Sequence, residues 1–183
     1  MRVSASAVAG TPTDAAIEVK GRDHPWVSRG GIKLDHALSH FGWDVGGTVA
    51  IDVGSSTGGF TDVLLTRGAA RVYAVDSGTN QLAWKLRQDP RVIVLEKTNA
   101  RNLTHEEIPE PADLIVCDAS FIGLAKVLER PLAFAKADTR LIALIMPEMN
   151  MFFFPSMIAG INRVVQQNDY SLIVFQSDNS IVQ

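Results

Sequence analysis

Three aspartates, two cations and a glycine-rich turn carry the chemistry that this sequence can offer. The stretch Asp52-Val53-Gly54-Ser55-Ser56-Thr57-Gly58-Gly59-Phe60 follows a short apolar run and opens a helical pattern. In an α/β sheet such a turn is where nucleotide-like ligands dock. Glycines let the backbone approach closely, and the helix N-terminus offers free N–H groups. A pyrophosphate-binding turn reads G-x-G-x-x-G. Here the spacing is G-x-x-x-G-G, with Asp52 two residues before the first glycine. A carboxylate there repels a pyrophosphate and pairs with an ammonium group. That favours S-adenosylmethionine, a nucleoside bearing an amino acid, over a dinucleotide. Candidate cofactor contacts are Asp52, Gly54, Ser55, Gly58, Gly59 and Phe60. The bland alternative is a tight strand–helix turn with no ligand.

Asp76 closes the next apolar run, at the offset of about 20 residues where an acid accepts hydrogen bonds from ribose hydroxyls. An Asp at a strand end also serves as a cap or turn former. Asn99, after the third run, is placed to read an adenine edge, although Asn is equally a routine turn residue. Asp118 ends a fourth run, Leu114–Cys117, where a carboxylate can orient an attacking group or hold a lysine charged. Cys117 has no nearby His in sequence and reads as core. Upstream, Lys33 in SRGGIKLDHAL lies off the apolar face made by Leu34, Leu38 and Phe41. It is either a solvated lysine or a catalytic or phosphate-contacting cation beside Arg29.

The elements that must position these groups are legible. Apolar, β-branched strands at TVAIDV, RVYAVD, RVIVLE, DLIVCD, RLIALI and YSLIVFQ alternate with helical patterns. The helices are GIKLDHALSHF, GFTDVLLTR, NQLAWKLRQ, LAKVLERPLAFA with a kink or break at Pro131, and SMIAGINRVVQQN. This alternation predicts a doubly wound, mostly parallel α/β sheet of the Rossmann-like type with helices on both faces. Only the short strand-like AIEVK breaks the irregularity of residues 1–24.

The chain has 183 residues, 46% hydrophobic and 20% charged, enough for one well-packed domain. No apolar run reaches the roughly 20 residues of a membrane span, and the N-terminus lacks an apolar signal core. One cysteine builds neither a disulfide nor a Cys-based zinc site, so no metal is expected. These features predict a cytoplasmic protein. A net charge of −3 argues against gripping nucleic acid by bulk electrostatics, yet permits a local basic face.

Taken in order, SRGGIKLDHAL, AIDVGSSTGGFTDVLL, VYAVDSGTNQLAWKLRQDPRV and VCDASF resemble the TlyA-type (hemolysin A) ribosomal-RNA methyltransferases, over about residues 18–145. The resemblance implies an FtsJ-like catalytic domain that transfers a methyl group from S-adenosylmethionine to ribose 2′-hydroxyls of ribosomal RNA, with ribosomal RNA or ribosomal subunits as partners. It implies catalytic roles for Lys33 and Asp118 and an RNA contact at Arg29. Residues 1–24 resemble the end of an S4-type RNA-binding domain or its linker, and 25–145 form the methyltransferase domain. Where the family places a further catalytic lysine, this sequence reads Ile145-Met146-Pro147-Glu148. A thioether cannot lower a hydroxyl pKa as an ammonium does. The fourth family residue, a Glu, has no match. The resemblance therefore implies an impaired methyltransferase; the alternative is a non-catalytic module that binds S-adenosylmethionine or RNA.

Residues 146–183 are atypical. Residues 1–150 hold six Asn or Gln and nineteen Ala, whereas 151–183 hold seven Asn or Gln and one Ala. The segment from about 141 to 180 resembles the opening strand–helix–strand of a LacI-type regulator's effector-binding domain. A foreign unit joined near 141–148 can complete an α/β sheet without restoring the missing catalytic groups.

Overall fold

A computed structural model describes residues 24–118, 124–136, 141–147 and 171–177. Six strands, β1 (Val49–Val53), β2 (Arg71–Val75), β3 (Val92–Leu95), β4 (Leu114–Cys117), β5 (Leu141–Pro147) and β6 (Ser171–Ser177), form one sheet. Their order is β3-β2-β1-β4-β5-β6 and every pairing is parallel. The doubly wound expectation holds. Strand order reverses between β1 and β4, and in open α/β sheets the crevice beyond the carboxyl ends at such a reversal is where ligands bind.

Period-2 alternation sorts the strand residues between two cores. Ala50, Val72, Ala74, Leu114 and Val116 face one side, where they pack with Leu34 and Leu38 of α1 (Gly30–His40) and Val63 and Leu64 of α2 (Gly59–Thr66). Ile51, Val53, Tyr73, Val75, Ile115 and Cys117 face the other side. They meet Leu103, Ile108, Phe134 and Leu128 of α4 (Leu124–Leu132). Cys117 is a core residue, 1% exposed. The same alternation puts Asp52 on the α1/α2 side of β1, opposite Val116 of β4.

Three local expectations change. The helix expected over 80–88 is reduced to α3 (Trp84–Arg87). Asn80 takes a positive φ of 55°, and the N–H groups of Gln81 and Leu82 go to the Glu96 carboxylate at 3.1 and 3.5 Å instead of to a helical turn. Phe41 is not part of the α1 core face. It follows the helix, is 36% exposed, and stacks edge-on with His40 and at a tilt with Trp43. Asn99 caps a 3-10 turn, Ala100–Asn102. Pro131 falls in the last turn of α4, which ends one residue later.

β6 continues the sheet beside β5 with seven register pairs, from Leu141↔Ser171 to Pro147↔Ser177. The strand expected at 16–20 and the helix expected at 156–168 lie outside the described residues.

Candidate functional site

A cleft of about 340 Å³ opens at the carboxyl ends of β1 and β4, lined among others by Arg29, Asp52, Gly54, Ser55, Phe60 and Asp118. That volume is within the range of small-ligand sites. Asp52 is at its floor, 1% exposed. Its Oδ2 accepts hydrogen bonds from the Thr61 N–H at 3.0 Å and the Thr61 hydroxyl at 2.7 Å. Its Oδ1 is buried with no partner among the described residues. Buried polar atoms are almost always paired, so an orphaned carboxylate oxygen in a cleft fits a ligand that brings a donor.

Burial pushes the Asp52 carboxyl up to about 7. The two Thr61 bonds pull it back in part, and the charges of Asp118 and Asp76 push it further up. A carboxyl that holds its proton more tightly in the native state than in the unfolded chain contributes stability at low pH and loses it as pH rises. The ligand-free protein is therefore expected to lose melting temperature relative to Asp52→Asn between about pH 5 and pH 7.5. A gap between the two melting curves that stays constant over that range contradicts this reading.

The glycines divide their work. Gly54, at φ +79°, lines the cleft and has only the Asp118 carbonyl near the position of a Cβ, at 3.8 Å. Gly58, at φ +94°, lies behind it: a Cβ would meet Leu86 at 2.3 Å and Leu82 at 2.8 Å. At Gly59 a Cβ would meet Ser28 Oγ at 2.3 Å and the Gly31 nitrogen at 2.8 Å. The left-handed φ at Gly58, together with Leu82 and Leu86 packed beside it, is what requires glycine at 58. Ser55 is buried, and its N–H joins that of Gly54 on the Val75 carbonyl, tying the turn to β2. Phe60 is 3% exposed and forms an apolar wall.

Asp76 is half-buried just past β2. Its Oδ2 accepts from the Ser56 N–H and its Oδ1 from the Gly78 N–H, both at 2.7 Å. Each oxygen keeps a second lone pair. Asn99 is exposed, and its side-chain oxygen accepts from the Arg101 N–H at 3.1 Å, which is the turn-former role. Its amide nitrogen has no partner among the described residues.

Lys33 and Asp118, 85 positions apart, meet at the mouth of the cleft. Lys33 Nζ is 3.2 Å from Asp118 Oδ1 and 3.4 Å from Oδ2, and both side chains are 24% exposed. Alternation along β4 aims Asp118 to the α1 side, and α1 aims Lys33 at it. The sequence reading missed Thr61, which holds Asp52 in place. It also missed Asp62, 5% exposed, which accepts from the Val27 N–H at 2.9 Å and pairs with Lys85 at 2.7 Å, tying the segment before α1 and helix α3 to α2. An acid in the first turn of a helix was the available signal for the latter.

The family described as FtsJ-like methyltransferase matches residues 26–166. A Mycobacterium tuberculosis protein named 16S/23S rRNA (cytidine-2′-O)-methyltransferase TlyA is 50% identical over 145 residues, 79% of this chain and 54% of that protein. A Brachyspira hyodysenteriae protein named Hemolysin A is 48% identical over 106 residues, 56% of this chain and 43% of its own. Among solved structures, a Streptococcus thermophilus protein described as a hemolysin superposes with a TM-score of 0.62 at 44% identity, covering 67% of this chain and 45% of its own. The chain thus spans about half the length of the curated relatives it matches. The match across most of the chain, on a sheet and site of this geometry, makes it a member of the FtsJ-like methyltransferase family.

Proposed function

We propose that the chain binds S-adenosylmethionine in the Asp52 cleft and belongs to an RNA 2′-O-methyltransferase acting on ribosomal RNA. The observation that carries this reading is the convergence of the Lys33–Asp118 pair on the cleft floored by the unpaired Asp52 oxygen. The cleft fits the cofactor by the chemistry of its donors and acceptors. Asp52 accepts the ammonium of the methionine moiety, with Gly54 and Ser55 as the turn around it and Phe60 as apolar wall. Asp76 accepts the ribose hydroxyls on its remaining lone pairs, and the Asn99 amide addresses the adenine edge. Gly58 and Gly59 complete the cofactor turn, with Gly59 lining the cleft and both setting the position of α2.

When bound, S-adenosylmethionine supplies an electrophilic methyl group on a sulfonium. The protein's share is positioning and charge. Asp118 holds the Lys33 ammonium beside the cleft mouth, where it stabilises the negative charge developing on an attacking ribose oxygen. Arg29 contacts the phosphate backbone. The ribosomal-RNA substrate rests on the name of the M. tuberculosis relative and on the sequence resemblance. Ribosomal subunits are the corresponding partner and the cytoplasm the corresponding location. Among the described residues no helix is long and apolar enough to cross a membrane.

Met146, at the carboxyl end of β5, stands where the family resemblance places a lysine. With one cation instead of two near the reacting oxygen, methyl transfer by this chain is slow. We read residues 1–24 as part of an RNA-binding module or its linker, 25–145 as the methyltransferase domain and 146–183 as an atypical tail; the family match runs past that boundary, to 166. Met146→Lys tests the reading. A general acid–base or electrostatic group of this kind contributes on the order of 10²–10⁴-fold. Transfer of labelled methyl to unmodified ribosomal subunits is expected to rise by at least about 10-fold in the variant. Equal rates, with cofactor binding intact, favour the non-catalytic binding module instead.

A further inference from the structure

A second cleft, of about 360 Å³, lies between the 3-10 turn and α4 and is lined by Arg101, Asn102, Lys126, Glu129 and Arg130. Its cations stand out by how the others are used. Among the described residues, Lys33, Arg67, Arg71, Lys85, Arg87, Arg91 and Lys136 each form an ion pair. Arg29, Lys97, Arg101, Lys126 and Arg130 pair with no described carboxylate. Arg29 lines the cofactor cleft, Lys97 and Arg101 follow the carboxyl end of β3, and Lys126 and Arg130 lie on α4, which follows the carboxyl end of β4. Among the described residues, four of the five cations without an ion pair thus follow the carboxyl ends of β3 and β4 along the chain and the fifth lines the cofactor cleft, in a protein whose net charge is −3.

The second cleft is also built. Lys126 and Arg130 are four apart and share one exposed face of α4, whose opposite face buries Leu128. Arg130 is fixed by its Nε donating to the Leu103 carbonyl at 3.0 Å. Arg101 is carried by the capped 3-10 turn, and Asn102 adds an amide beside it. Three cations from two elements against the single carboxylate of Glu129 form a polyanion site, and backbone phosphates are what such cations contact.

We propose that this cleft binds the phosphodiester backbone of the RNA whose ribose is presented to Lys33 and Asp118. The proposal rests on the reading of the first cleft as an RNA methyl-transfer site. A strand crossing the carboxyl edge of β4 from one cleft to the other passes over unpaired cations at both ends. Arg101 and Lys126 engage phosphates, and Arg130 shapes the wall.

The test is the double variant Arg101→Gln/Lys126→Gln, at two exposed positions, beside Arg67→Gln/Arg71→Gln at the opposite edge of the sheet. Binding of an unmodified ribosomal-RNA transcript is measured against salt concentration, and S-adenosylmethionine binding is measured in parallel. Loss of two contacts to single-stranded phosphates lowers the slope of log K against log salt by about 1.4. The cleft variant is expected to show that decrease, with RNA affinity reduced roughly 10-fold near 0.1 M salt and cofactor affinity unchanged; the control keeps the wild-type slope. An unchanged slope in the cleft variant, or an equal decrease in both variants, overturns the proposal. Wild-type protein that binds the cofactor but no RNA also overturns it, leaving the cofactor reading intact; failure to bind either removes both.

Discussion

Asp52→Asn is expected to weaken S-adenosylmethionine binding by about 10- to 150-fold near pH 8, while the ligand-free protein melts at a higher temperature than wild type. The two effects have one origin. The buried carboxylate has one oxygen held by Thr61 and one with no described partner. Asparagine keeps an acceptor for Thr61 and removes the charge. A hydrogen bond to a charged group contributes about 1.5–3 kcal/mol, which sets the size of the affinity loss. In the free protein the same charge is desolvated, with Asp76 and Asp118 adding repulsion, so neutralising it stabilises the fold. Calorimetry and thermal denaturation of the two proteins give both numbers. A variant that melts lower and binds equally well shows that Asp52 serves only the fold.

Gly59→Ala is expected to damage both stability and binding from a position that adds a single methyl group. The new Cβ lies 2.8 Å from the Gly31 nitrogen and 3.3 Å from the Gly30 carbonyl carbon, as well as 2.3 Å from Ser28 Oγ. A serine side chain can rotate away, but backbone cannot, so the start of α1 must move from α2. Overpacking of this kind costs about 1–3 kcal/mol. At roughly 2–4 °C per kcal/mol for a chain of this size, the melting temperature falls by about 2–12 °C. The displaced segment carries Arg29 and Lys33, so the Lys33–Asp118 contact loosens and cofactor affinity drops with it. An unchanged melting temperature means that α1 and α2 are farther apart than these distances state.

What the sequence disclosed follows from which interactions are local. The alternating strands, the turn from Asp52 to Phe60 and the acid at Asp76 are set by period and spacing within about 25 residues, and they were readable. The Ser56–Asp76 hydrogen bond links those two features directly. The Lys33–Asp118 pair spans 85 positions, and only the family resemblance joined the two residues beforehand. Thr61 lies within the motif, but its hydroxyl reaches Asp52 only once α2 is docked on β1. Gly58 carries a constraint that the turn motif does not show: its φ of +94° favours glycine, and Leu82 and Leu86 fill the space beside it. Leu82 also shortens α3, since the loop that delivers it is tied to Glu96, a partner 14 residues away that helical periodicity does not register.

The most direct measurement is a calorimetric titration of S-adenosylmethionine into the wild-type chain near pH 6.5, in two buffers of different ionisation enthalpy. Asp52, with its carboxyl pushed up to about 7, is partly protonated there and must ionise to hold an ammonium. Binding of one ligand per chain, with a proton released to the buffer and tighter binding near pH 7.5, is the expected result. Absence of binding by a chain that unfolds cooperatively, or binding with no proton released, contradicts the assignment of the Asp52 cleft as the cofactor site.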